Sequence, residues 1–147
     1  MKKLILVTVL SLSALFLTTR AHAGVRPTGD TSYIYVYRVG QFSGAGANWA
    51  VFLDGEKKCK LSNNKFMRLA VTPGKHTISA RVGGMSIMKK ETEIEVEATA
   101  GGSNYVACSV KQSITRQRLE MVEVVKNTAS KQMEKMSLDN CQEAIEE

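Results

Sequence analysis

The chain has 147 residues, 20 lysines and arginines against 14 aspartates and glutamates, a formal net charge of +6, and 44% hydrophobic residues. That length is one domain's worth. Without Lys2, Lys3 and Arg20 the charge falls to +3, so half of the net positive charge is N-terminal and a nucleic-acid-binding reading loses its support.

The N-terminus has the layout of a secretory signal peptide: Lys2 and Lys3, an apolar run from Leu4 to Leu17, then Ala21-His22-Ala23 before Gly24. This run of 14 residues falls short of the roughly 20 that cross a bilayer. Cleavage is expected after Ala23, with no cysteine nearby to take a lipid, giving an exported, periplasmic chain that is not transmembrane once processed. The expected organisation is a leader over 1–23, a β-sandwich domain over 24–126 and a helix or flexible tail over 127–147.

Three cysteines, Cys59, Cys108 and Cys141, then meet an oxidising compartment. They permit three alternative single bridges, each leaving one thiol over. Joining Cys59 to Cys108 would contribute about 4 kcal/mol on the chain-entropy model, whereas a bridge to Cys141 would pin the tail. The spacing does not choose.

Tyr33 to Val39 alternates, with three tyrosines on one face and Ile34 and Val36 on the other, which predicts a strand. The glycine-rich stretch after it lacks the spacing of a phosphate cradle, and no helix follows. Trp49 to Leu53 and the run to Leu61 read as strands around the turn Asp54-Gly55. Asn63-Asn64 turns the chain into a strand over Phe66 to Val71, and Pro73-Gly74 supplies the next turn.

From Lys75 to Val82 the chain alternates again, placing His76, the last histidine left after the leader, on the apolar face with Ile78, Ala80 and Val82. A loop containing Gly83-Gly84-Met85 leads to Glu91, Glu93, Glu95 and Glu97, which alternate with apolar residues. With Ile78 facing Ile94 in an antiparallel hairpin, Arg81 falls opposite Glu91 and Lys75 opposite Glu97. The acidic row is then a solvated face rather than a calcium site, which needs converging oxygens. Strands over Asn104 to Val110 and near Arg118 to Val125 complete seven or eight. From Asn127 the composition turns helical, with a weak apolar stripe of Ala129, Met133, Met136, Cys141, Ala144 and Ile145.

The order of these motifs resembles a bacterial envelope family, domain of unknown function 2846. YIYVYR at Tyr33 to Arg38, VFLDG at Val51 to Gly55, VTPGKHTISA at Val71 to Ala80 and NYVACSV at Asn104 to Val110 carry the likeness. A looser one extends to PEGA-type modules, which share the V-x-L/V-D-G and P-G-x-H turns. The resemblance implies an exported β-sandwich with no established activity, and a structural role for Asp54, Gly55, Pro73, Gly74 and His76 at the turns. The expected fold is therefore all-β, a seven- to eight-stranded antiparallel sandwich of PEGA or transthyretin-like type with a short C-terminal helical tail.

No catalytic constellation stands out, since His76 has no partner at a spacing that would make it a base, and there is no C-x-x-C, no haem motif and no histidine pair for zinc. No cofactor or metal is expected. Lys57, Lys58, Lys60, Lys65 and Arg68 form the densest basic group and flank one expected hairpin, either as aggregation-resistant strand edges or as a contact for an anionic partner such as lipid headgroups, lipopolysaccharide or an acidic protein surface. Two function classes follow. One is a non-catalytic envelope module that binds a protein, peptide or glycan; the alternative is a small thiol-dependent or redox enzyme using Cys108 or Cys141. Oligomeric state is left open.

Overall fold

A computed structural model describes residues 31–82, 93–112 and 117–143. The leader, the Gly83-Gly84-Met85 loop, the pairing of Arg81 with Glu91, and Ala144 and Ile145 lie outside the described residues. In chain order the elements are β1 (Ser32–Arg38), β2 (Trp49–Leu53), β3 (Glu56–Leu61), β4 (Lys65–Val71), β5 (Gly74–Val82), β6 (Glu93–Ala98), β7 (Ser103–Gln112), β8 (Gln117–Val124), α1 (Lys126–Met133), β9 (Ser137–Leu138) and α2 (Asn140–Glu143).

Two sheets form, ordered β8-β7-β1-β4-β9 and β3-β2-β5-β6. Their facing sides bury one continuous core that includes Ile34, Val36, Trp49, Val51, Leu61, Met67, Ile78, Val96, Val106 and Leu119. The alternation in β1 explains its place: Ile34 and Val36 are fully buried, while Tyr33 and Tyr35 are half-buried on the opposite face. There Tyr35 stacks on Tyr105 with centroids 5.2 Å apart, and the Arg68 guanidinium lies 5.4 Å from the Tyr33 ring. Cross-strand contacts of this kind reinforce a sheet.

The β5–β6 hairpin has the expected register, with Ile78 opposite Ile94 and Lys75 opposite Glu97. The ion pair itself runs diagonally, from Lys75 to Glu95 at 3.0 Å.

Two features depart from an antiparallel meander. The pairings of β1 with β7 and of β4 with β9 are parallel. The turn at Asn63-Asn64 does not close a hairpin, because β3 and β4 lie in different sheets and the chain crosses between layers there. The tail also differs from a single helical stripe. Helix α1 buries Ala129, and its Gln132 accepts a hydrogen bond from the Tyr37 hydroxyl, 2.5 Å away. After it, β9 adds to the outer edge of β4 and α2 follows. The stripe breaks because Asp139 is drawn inward: it is 5% exposed and accepts from the Ser62 amide at 2.7 Å, while its own amide donates to Phe66 O.

Cys141 forms a disulfide with Cys59 of β3, Cα atoms 6.1 Å apart, and Cys108 is left as a buried free thiol. Gln142 completes the strap by imitating a strand, its side-chain amide accepting from Arg68 N at 2.6 Å and donating to Arg68 O at 2.7 Å.

Candidate functional site

The two turn motifs singled out in the sequence meet at one end of the molecule. Asp54 and Gly55 both take positive φ, 51° and 81°, the geometry of a two-residue hairpin turn whose twist matches the strands it joins. That conformation turns the Asp54 carboxylate toward β5, where Oδ1 accepts from the Thr77 amide at 2.8 Å and Oδ2 lies 2.7 Å from His76 Nδ1. The other ring nitrogen, His76 Nε2, lies 2.8 Å from Thr72 O. A carboxylate and a carbonyl can only accept, so these two partners are both satisfied by the protonated ring, and they favour the cation.

Burial alone would lower the His76 pKa, but the hydrogen bonds to Asp54 and Thr72 outweigh it and the net shift is upward from 6.5. For Asp54 burial acts to raise the value, and the bonds from His76 and Thr77 bring it below 3.8. The His76 contribution is fully present below pH 6.5 and is lost as pH rises through its raised folded value. That of Asp54 is present above pH 3.8 and is lost as pH falls through its lowered folded value. The clamp is therefore strongest between 3.8 and 6.5. His76→Gln should cost about 1 kcal/mol within this window and progressively less above it, because Asp54 is half exposed and the pair is screened. Thermal melts of both proteins across pH would show it. A difference independent of pH would remove the charged-imidazole account.

A model for the family described as protein of unknown function (DUF2846) matches residues 28–120. The chain belongs to that family. No curated protein matches it. In this DUF2846 protein the V-x-L-D-G and P-G-K-H turns, side by side only after folding, form one structural clamp through Asp54 and His76. Pro73 and Gly74 deliver the chain into β5, with Gly74 at φ 134°.

The basic group divides. Lys57 and Lys58 stand near the Asp54-Gly55 end of β3, with Lys58 2.8 Å from Glu56. Lys60 and Lys65 stand at the other end, Lys60 opposite Ala50 and Lys65 donating to Ser137 Oγ at 2.7 Å. Arg68 is occupied along the outer face by Tyr33 and, through its backbone, by Gln142. The five residues thus do not make one patch. On the edge strand β3 the exposed lysines also discourage pairing with another chain.

One polar residue within the core went unread in the sequence. Arg38 follows Ile34 and Val36 on the inner face of β1 and is fully buried, donating through Nη1 to Ala47 O and through Nη2 to Gly44 O, 2.5 and 2.6 Å away. Its phase in the alternation was the signal. Opposite it on β7 stands Cys108, whose pKa is pushed up to about 12 by burial, with Arg38 opposing the shift. Such a thiol stays protonated and inert at neutral pH.

Among the described residues, Cys59, Asp139 and Cys141 bring metal-ligand types within 4.8 Å of one another, but both sulfurs belong to the disulfide. The glutamates Glu93, Glu95 and Glu97 are exposed along the edge strand β6. No helix among the described residues is long and apolar enough to cross a membrane.

Proposed function

We propose that this protein is an exported, non-catalytic binding module of the cell envelope, processed after Ala23 and located in the periplasm. The observation that carries the non-catalytic reading is the occupation of His76, whose two ring nitrogens are both spent on Asp54 and Thr72. A general base needs a free lone pair beside its substrate. Export is supported by the leader pattern and by the Cys59–Cys141 bridge, which suits an oxidising compartment. Nothing favours thiol chemistry: Cys141 is bridged and Cys108 is buried with its pKa raised.

The test is mass spectrometry of the chain released by osmotic shock and alkylated without reductant. The expected species begins at Gly24, has one disulfide, and gains a single alkyl group only after unfolding, at Cys108. A chain that keeps its leader, or that takes three alkyl groups without reduction, would contradict the reading. In-cell crosslinking of the same material would then identify what the module contacts.

A further inference from the structure

The loop from Val39 to Asn48 is built unlike an ordinary surface connection. Phe42 within it is 102% exposed, and from Val39 to Leu53 the chain carries no charged side chain. Part of its polar backbone is bonded from within. Ala45 N donates to Phe42 O and Ala47 N to Gly44 O, while buried Arg38 supplies donors to Gly44 O and Ala47 O. Asn63 pairs with both backbone groups of Gln41, whose side chain in turn accepts from Val110 N at 2.7 Å, and Ser43 donates to Gln112. Gly44 sits at φ +76° with Val110 so close that a Cβ would meet it at 3.1 Å. The loop is therefore held in one shape.

An exposed phenylalanine on a braced loop without charged side chains is suited to a medium of low dielectric, where a buried charge is costly. Charge at this end selects the medium. Lys60, near the end of β3, and Lys65, at the start of β4, stand on either side of Asn63, which holds the loop at Gln41. Lys65 donates to the uncharged groups Ser137 Oγ and Leu138 O, and the buried Asp139 carboxylate is taken up by Ser62. Lys111, near the end of β7, is exposed and pairs with Glu120 at 3.3 Å. Asp54, Glu56 and Glu97 lie at the opposite end of the strands.

We propose that this loop docks on an anionic lipid bilayer, with Phe42 inserted among the headgroups and Lys60 and Lys65 facing the phosphates. Arg38 is the positioning residue that keeps the loop rigid. The inference rests on the reading of an envelope protein and names the surface that such a protein contacts.

Partitioning onto vesicles of phosphatidylglycerol and phosphatidylethanolamine, compared with vesicles of phosphatidylcholine alone, tests it with the full protein purified from the cells that make it. Binding should be confined to the anionic vesicles and weaken with added salt. Phe42→Ser should lower the partition coefficient about tenfold, the loss of one buried aromatic side chain, and Lys60→Gln should lower it about fivefold. In Phe42→Trp, emission should shift to the blue on anionic vesicles only, over the constant signal of buried Trp49. Unchanged Trp49 emission in Phe42→Ser would certify its fold. Equal binding by Phe42→Ser, equal binding to phosphatidylcholine, or a Phe42→Trp emission indifferent to vesicles would overturn the proposal. These comparisons are made between variants of one preparation, so they can fail while export stands, and export can fail while they hold.

Discussion

Cys141→Ser should lower the free energy of unfolding by about 4.5 kcal/mol, the entropy a cross-link of this span removes from the unfolded chain. The bridge joins residues 82 apart and closes the chain from β3 to its last described helix. Without it the strap keeps β9, the Asp139 contact with Ser62 and the Gln142 contacts with Arg68, but these must then order the segment themselves. Urea unfolding without reductant measures the loss, and the wild-type protein in reductant should match the variant. A loss below about 1 kcal/mol would mean that the hydrogen bonds hold the strap and the bridge adds little.

Arg38→Ala should cost about 3 kcal/mol, from the void left by a fully buried side chain and the donors withdrawn from Gly44 O and Ala47 O, partly offset because a cation no longer has to be buried. Arg38→Met separates these contributions. It fills most of the space without a charge and should cost only about 1 kcal/mol, yet it withdraws the same donors from the loop. Denaturant midpoints give the two energies, and cleavage near Phe42 by a protease with aromatic preference reports loop opening. Both variants should be cut faster than wild type. If Arg38→Met resisted cleavage like wild type, the guanidinium would not be what fixes the loop.

Strand positions were legible because alternation reports a half-buried face directly: the two alternating runs around Ile78 and Ile94 are strands, and they pair in the register assumed for them. The partnership of Asp54 with His76 was not, although each turn was visible, because it depends on β2 lying beside β5. Nor was the parallel pairing of β1 with β7, since no turn signal links strands so far apart in the chain. Arg38 was readable and overlooked. Its spacing from Ile34 and Val36 placed it inside, and a guanidinium in a core must find acceptors. The tail misled because its apolar residues approximate a helical period while Asp139, buried between Ser62 and Phe66, interrupts it.

The strap has a consequence for the order of assembly. The outer edge of β4 is paired by Ser137 and Leu138 and by the Gln142 side chain, all within the last described stretch of the chain. During synthesis every other described strand emerges before the segment that seals this edge. Until it arrives, β4 offers unpaired backbone groups to any neighbouring extended chain. The nascent protein is thus most vulnerable to mispairing until Ser137 to Gln142 have been made, and a message truncated ahead of Ser137 would encode a sandwich with one side left sticky.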